Sequence, residues 1–487
     1  MTRRTLLALA VAAVASAGCA LDAPPKPDEI RAQSLPNVAV PGAWTSSGGA
    51  PGAVADGWLA TFRDAQLDAL VAEALVYNTD LRVAAARVEQ AAGYAKLAGS
   101  AIYPAVNFGA HGGGKLGGDG SGLSGVGLFV NWELDLWGRV RYEREAGAAK
   151  YEATASDAEY ARQSIAAAVA KGWLLAIEAR LQRAIAADIV RASEQALSLA
   201  RDRLRIGKGD DQDVALAQAN LDSARDAERQ LALAHEQALR ALETLVGRYP
   251  ASAVAVADAL PAMPGPVPVG LPSELLERRP DVIAAERRVA AAFNLVGEAK
   301  AARLPKIALT AGITSISSDL FVLQERNNPL ASLGANLAAP IFNGYALQAQ
   351  VEIRSAEQKL AVADWGRVAA KAFGDVEAAL SAQFAADERE VILARAVASQ
   401  ARALELAQVR YRVGSGDLRA VVQQTVALYV VRTALLRVQG ERRIQRVNLH
   451  LALGGGFDAR PAVPVAGDDG ASRSDVASAG AGAAIRP

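Results

Sequence analysis

The 487-residue chain has one cysteine, so no disulfide can form within it. Its three histidines (His111, His235 and His450) are widely spaced, and with no second cysteine they cannot build a four-ligand zinc site. Charge of one sign is missing too: 52 basic and 52 acidic side chains leave a formal net charge of zero. That leaves no electrostatic footprint for nucleic acid, which is read with clustered Lys and Arg. Signatures of catalysis are also absent. The segment Gly109–Lys115 nearly spells a phosphate loop, but Leu116 stands where Ser or Thr would hold magnesium. No Gly-x-Ser-x-Gly elbow occurs, and His235 has no chemical partner three or four residues away. Neither an enzyme nor a cofactor or metal is expected. At 487 residues the chain exceeds a typical single domain, so it is either multidomain or elongated.

What is present begins at the N-terminus. Arg3 and Arg4 precede a short apolar run over 5–17 and then Gly18, a pattern too short and too rich in alanine for a spanning helix. Residues 1–18 read as a secretory signal. Ser16-Ala17-Gly18-Cys19 resembles the bacterial lipobox, which implies acylation of Cys19; the alternative is cleavage near Ala17 and a free thiol. With Ala20 after the cysteine, outer-membrane sorting is expected. Residues 19–60 follow as a Pro-, Gly- and Ser-rich tether.

The mature chain repeats itself. An offset of 207 aligns Gly207, Gly209 and Asp210 with Gly414, Gly416 and Asp417, and it carries on through Val214/Val421, Leu221/Leu428 and Gly247/Gly454. Upstream, an offset of 201 aligns Asp80 with Asp281 and Pro104 with Pro305. The chain is therefore read as two copies of one large unit, 61–250 and 273–456. A Pro-rich linker (251–272) joins them, and a disordered tail (457–487) follows. Each copy runs helix, two strands, long helix, helix. Helical spacing covers 64–100 and 273–303. Partial alternation over 105–110, 124–134, 306–316 and 332–342 predicts strands of membrane-crossing length, with hairpin loops at 112–125 and 317–331 facing water. The stretches 139–206 and 345–413 contain no proline and two glycines each, enough for helices of roughly 100 Å. In the first, Ile165, Val169, Trp173, Ile177, Leu181, Ile185 and Ile189 recur every fourth residue and wind around the helix, which requires neighbours on more than one side.

Five segments carry a family resemblance: Trp132–Arg139 (WELDLWGR), Ala339–Gly344 (APIFNG), Glu277–Asp281 (ERRPD), and the paired turns Arg205-Ile206-Gly207 and Tyr411–Gly414. With these the chain resembles the TolC-like outer-membrane efflux proteins, especially lipid-anchored members that serve resistance-nodulation-division pumps. The resemblance implies a mainly α fold with a small β part. Tandem helical hairpins would form a periplasmic tunnel, and four strands per chain would join a trimeric twelve-stranded barrel. It implies a homotrimer in outer-membrane lipid that works with a periplasmic adaptor and an inner-membrane pump. It also implies a periplasmic gate at the turns, with Asp210, Asp211, Asp213, Tyr411, Arg412, Asp417 and Gln423 as candidates. Gly207, Gly209, Gly414 and Gly416 mark the adaptor-contact turns. Capping is the favoured role for Asp210 and Asp417; for Asp213, capping and gating are weighed evenly. Ala420 and Gln423 stand where similar proteins carry acids, so a less acidic gate is expected, and Tyr411→Phe is expected to raise conductance. The alternatives are an exit duct for polypeptides and a periplasmic coiled-coil scaffold without a pore.

Overall fold

The computed structural model describes residues 22–46, 49–111, 124–317 and 330–457. The signal segment, Cys19, most of both hairpin loops and nearly all of the expected tail lie outside the described residues. The helices are α1 (Pro27–Ser34), α2 (Ala65–Tyr77), α3 (Thr79–Ser100), α4 (Arg139–Arg205), α5 (Asp211–Val246), α6 (Leu275–Arg278), α7 (Pro280–Ala301), α8 (Ala346–Arg412) and α9 (Leu418–Ala452). The strands are β1 (Ala105–His111), β2 (Ser124–Leu134), β3 (Lys306–Ser317) and β4 (Leu330–Ala338). None of the described helices is long and apolar enough to cross a membrane.

The helical spacing over 64–100 resolves into two helices. Asn78 ends α2 in extended geometry, and its side chain accepts from the amides of Asp80 (2.9 Å) and Leu81 (3.1 Å) to start α3. Arg279 and Pro280 make the equivalent break between α6 and α7. The fourth strand also differs from expectation, spanning 330–338 and not 332–342. Pro340 has no amide to donate to a ladder, and Ile341 and Phe342 beyond it are exposed in the single chain.

The strands form one antiparallel sheet in the order β1-β2-β3-β4. Directly paired residues share a face, so the register sorts the two surfaces. Val106↔Val130, Phe108↔Leu128, Leu128↔Ile313, Val130↔Ala311, Ala311↔Leu333 and Ile307↔Leu337 all fall on one side, which is apolar except at its loop end, where Val126 pairs with Ser315 and Ser124 with Ser317. The other side holds Asn107, Asn131, Thr310, Gly312, Ser332 and Asn336. An apolar outer and a polar inner surface is the pattern of a transmembrane barrel. Yet β1 and β4 each have a free edge, and Phe108 and Leu333 are 70% and 87% exposed. In lipid such edges must be closed.

α4 and α8 each span 67 residues, and each folds back through a tight turn into α5 and α9. Gly207 (φ 69°) and Gly414 (φ 81°) adopt the left-handed conformation that these reversals require. The four helices lie side by side in the order α5-α4-α9-α8, leaving α5 and α8 as flanks. Two cores form a belt around the middle. One gathers Trp58, Phe62, Leu67, Trp173, Ile177 and Leu242; the other gathers Ile30, Val289, Trp365, Leu380 and Leu449. Of the every-fourth row on α4, Val169, Trp173 and Ile177 are fully buried, while Ile165 and Leu181 pack at the rim of the first core. A third core joins the hairpin tips through Leu197, Ala200, Leu221, Tyr411, Leu418 and Val421.

Candidate functional site

At the junction of sheet and helices, the WELDLWGR segment is a splice. Glu133 accepts from Arg139 through Nε (2.8 Å) and Nη2 (2.9 Å), and Asp135 accepts the amides of Val140 and Arg141 (both 3.0 Å), capping α4. The two indoles tie chain ends together: Trp132 Nε1 donates to the Ile102 carbonyl and Trp137 Nε1 to that of Pro305, each at 2.8 Å. Both tryptophans thus hydrogen-bond across the junction. The ERRPD segment serves the belt. Arg279, 1% exposed, pairs with Asp281 (2.8 Å) and Asp375 (3.1 Å) and donates to the Ala452 carbonyl (3.3 Å). A buried guanidinium needs every one of these partners.

The hairpin tips lie at the far end. Asp210 caps α5 by accepting the Asp213 amide at 2.8 Å, and Asp417 caps α9 by accepting the Ala420 amide at 2.8 Å. The Asp213 carboxyl is not used as a cap. It is half-buried, and burial, reinforced by Asp210 and Asp417 and opposed by Arg203, raises its pKa above the usual aspartate value. Tyr411 is buried against the other hairpin, and burial, with Asp213 adding to it, pushes its hydroxyl pKa up as well.

Arg203 joins these groups. Its guanidinium lies 4.4 Å from the centre of the Tyr411 ring, and its Nη1 donates to the Tyr411 carbonyl at 2.7 Å. Nε and Nη2 also reach the Lys208 carbonyl, at 3.4 and 3.3 Å. One side chain thus fastens the first turn to the second hairpin. Beside it lies a cavity of about 220 Å³ lined by Ser193, Asn220, Gln408, Tyr411, Arg412 and Leu418.

The fold therefore brings Asp213 within reach of Asp210, Asp417 and Arg203, and Arg203 onto Tyr411, while Asp210, Asp211, Arg412, Asp417 and Gln423 are all exposed. Arg203 was not among the residues expected from sequence. The signal was there, because Arg203 and Arg410 are related by the same offset of 207 as the turn glycines. The contact with Tyr411 uses the ring face and the main-chain carbonyl. Arg203→Ala removes both of these contacts at once and probes them most directly.

The outer membrane efflux protein family matches residues 70–248 and 271–455, nearly the whole folded chain. The Escherichia coli K12 protein named "Cation efflux system protein CusC" is 30% identical over 411 residues, covering 82% of this chain and 89% of its own. The Pseudomonas putida protein named "Pyoverdine export outer membrane protein OpmQ" is 32% identical over 424 residues, covering 82% and 88%. Among crystal structures, CusC superposes with a TM-score of 0.76 at 28% identity, covering 86% of this chain and 97% of that one. The Campylobacter jejuni CmeC outer membrane channel gives 0.82 at 22% identity, over 91% and 96%.

Proposed function

This chain belongs to the outer membrane efflux protein family, and from that premise we propose how it works. It is an outer-membrane efflux channel that extends into the periplasm, with a trimeric barrel and helical tunnel. Its cargo is small amphiphilic compounds, taken from an inner-membrane pump through a periplasmic adaptor and passed out passively. The adaptor meets the turns at 207–213 and 414–420, and acyl chains on Cys19 hold the N-terminus at the membrane. Asp210, Asp213 and Asp417, brought together from three chains, favour cations at the constriction, where like charges converge in a narrow space. Arg203, seated on Tyr411, keeps the two tips of each chain together.

One observation carries this reading. A sheet with two free edges and one face that is apolar up to the serines at its loop end is spliced directly onto two 67-residue helices. Cells lacking the gene are expected to accumulate amphiphilic dyes and antibiotics, and restoring the gene is expected to reverse this. Unchanged accumulation for every compound would count against small-molecule cargo and favour a polypeptide duct. In planar bilayers, Arg203→Ala is expected to raise the conductance of the purified trimer; no change would remove Arg203 from the gate.

A further inference from the structure

The junction of sheet and helices holds a cavity of its own, far from the tips. It measures about 250 Å³ and lies between α7, the first turn of α4 and the N-terminal tether. Trp137, Phe293, Val296 and Leu304 wall it, and Lys300 and Asp22 complete its lining with charge. Trp137 and Leu304 are each 39% exposed, so the wall is open apolar surface and not part of a core.

The strands fix its level. Trp137 comes three residues after the end of β2 at Leu134, and its indole donates to the carbonyl of Pro305, beside the start of β3 at Lys306. α7 fixes its side. Val282 and Val289 of the belt core and then Phe293, Val296 and Lys300 recur at helical spacing along one face. The belt encircles the tunnel, so this is the outer face. A concavity there, where strands enter hydrocarbon, stands at the level of the lipid headgroups.

The duplication shows that the fold does not demand this cavity. α3 and α7 have 22 residues each and align without a gap at the offset of 201. α3 carries Ala92, Ala95 and Gly99 where α7 carries Phe293, Val296 and Lys300, so the apolar wall and the cation belong to the second copy alone. The tether joins that copy too. The Asp22 amide donates to the Tyr142 hydroxyl at 3.0 Å, and Gly297 makes room for this tyrosine, since a Cβ there would lie 2.6 Å from its ring. Asp22 and Lys300 thus line one cavity, yet among the described residues neither has an ion-pair partner.

An apolar wall accepts an acyl chain. An ammonium and a carboxylate left unpaired in one cavity suit a headgroup that carries both charges, its phosphate on Lys300 and its amine on Asp22. A purely anionic headgroup would be drawn to Lys300 but repelled by Asp22, and a trimethylated amine has no N–H to donate to a carboxylate. We propose that the cavity binds one phospholipid of the periplasmic leaflet, with a phosphoethanolamine headgroup bridging Lys300 and Asp22 and an acyl chain against Trp137, Phe293 and Leu304. This rests on the outer-membrane channel reading above. Bound there, the lipid ties the tether to α7 at the membrane surface.

The test uses the full-length trimer purified from its outer membrane, stripped of lipid in detergent, and offered phosphatidylethanolamine, phosphatidylglycerol or phosphatidylcholine with identical acyl chains. Native mass spectrometry counts the lipid retained. The wild type should hold one phosphatidylethanolamine per subunit and bind the other two about fivefold more weakly, the factor given by about 1 kcal/mol for one charged contact near a membrane surface. Lys300→Gln and Asp22→Asn should each weaken phosphatidylethanolamine about fivefold, and Asp22→Asn should also narrow the gap to phosphatidylglycerol. Phe293→Ala should weaken all three lipids alike. Equal retention of the three lipids by the wild type overturns the proposal. So does retention untouched by Lys300→Gln and Phe293→Ala, as when the chain's own N-terminal acyl groups fill the cavity. A heat-modifiable trimer that keeps no phosphatidylethanolamine overturns the lipid site alone, whereas wild-type protein that forms no such trimer overturns the channel reading and the lipid site with it.

Discussion

Glu178 carries two opposed demands: it fills the seam over Gly440, and it is an acid held out of water. Burial is the main cause that pushes its pKa up to about 7, with Glu441 adding and Arg437 and Gln182 opposing. A pKa raised by folding means that the stabilisation is fully present below the unfolded value near 4.5 and is lost as pH rises through about 7. His450 has the reverse sense. Burial, with Arg446 adding, lowers it to about 4, so its contribution is present above 6.5 and lost as pH falls through about 4. Thermal unfolding followed by circular dichroism is expected to show a maximum between these limits, and Glu178→Gln to flatten only the alkaline side. An unchanged decline from pH 6 to 8 in Glu178→Gln would assign that limb to other groups. Residue roles were legible unevenly. Asp210 and Asp417 could be read as caps because capping needs only a short-range pattern after a glycine turn. Arg203 could not be read from its surroundings, because its partner lies 208 positions away and is reached only through the tertiary fold.

Helices were the most legible elements, since absence of proline over 139–206 and 345–413 leaves little else for so alanine-rich a stretch. Ends were harder. The break at Asn78 depends on a side chain that ends one helix and starts the next, so periodicity runs through it undisturbed. The end of β4 depends on Pro340, inside a stretch that otherwise reads as apolar strand. The caps allow a quantitative test. Asp210→Ala and Asp417→Ala should each cost about 1 kcal/mol locally, read as faster amide exchange in the first turns of α5 and α9, with little change at the belt. Equal acceleration throughout α5 or α9 would mean that the caps hold more than their own turns.

For the whole molecule, the sheet register separates two kinds of substitution. Phe108 and Leu333 lie on the apolar face, where an arginine should cost roughly 2–4 kcal/mol at mid-membrane. Phe108→Arg or Leu333→Arg should therefore remove the heat-modifiable trimer from outer-membrane fractions. Asn107→Arg, on the opposite face, should leave the trimer and alter ion selectivity; the reverse outcome would invert the assignment of the faces. The equal length of α4 and α8 has a mechanical consequence as well. Trp173, in the belt, lies 32 residues from the end of α4 at Arg205, so the helix below it is a lever arm of about 48 Å. Pivoting by about 5° at the belt would move the tip by about 4 Å. The aperture at one end of this protein is thus geared to packing in its middle, and a side chain trimmed around Trp173 or Trp365 would act on the opening from afar, as wear in a hinge sets the play at the end of a long door.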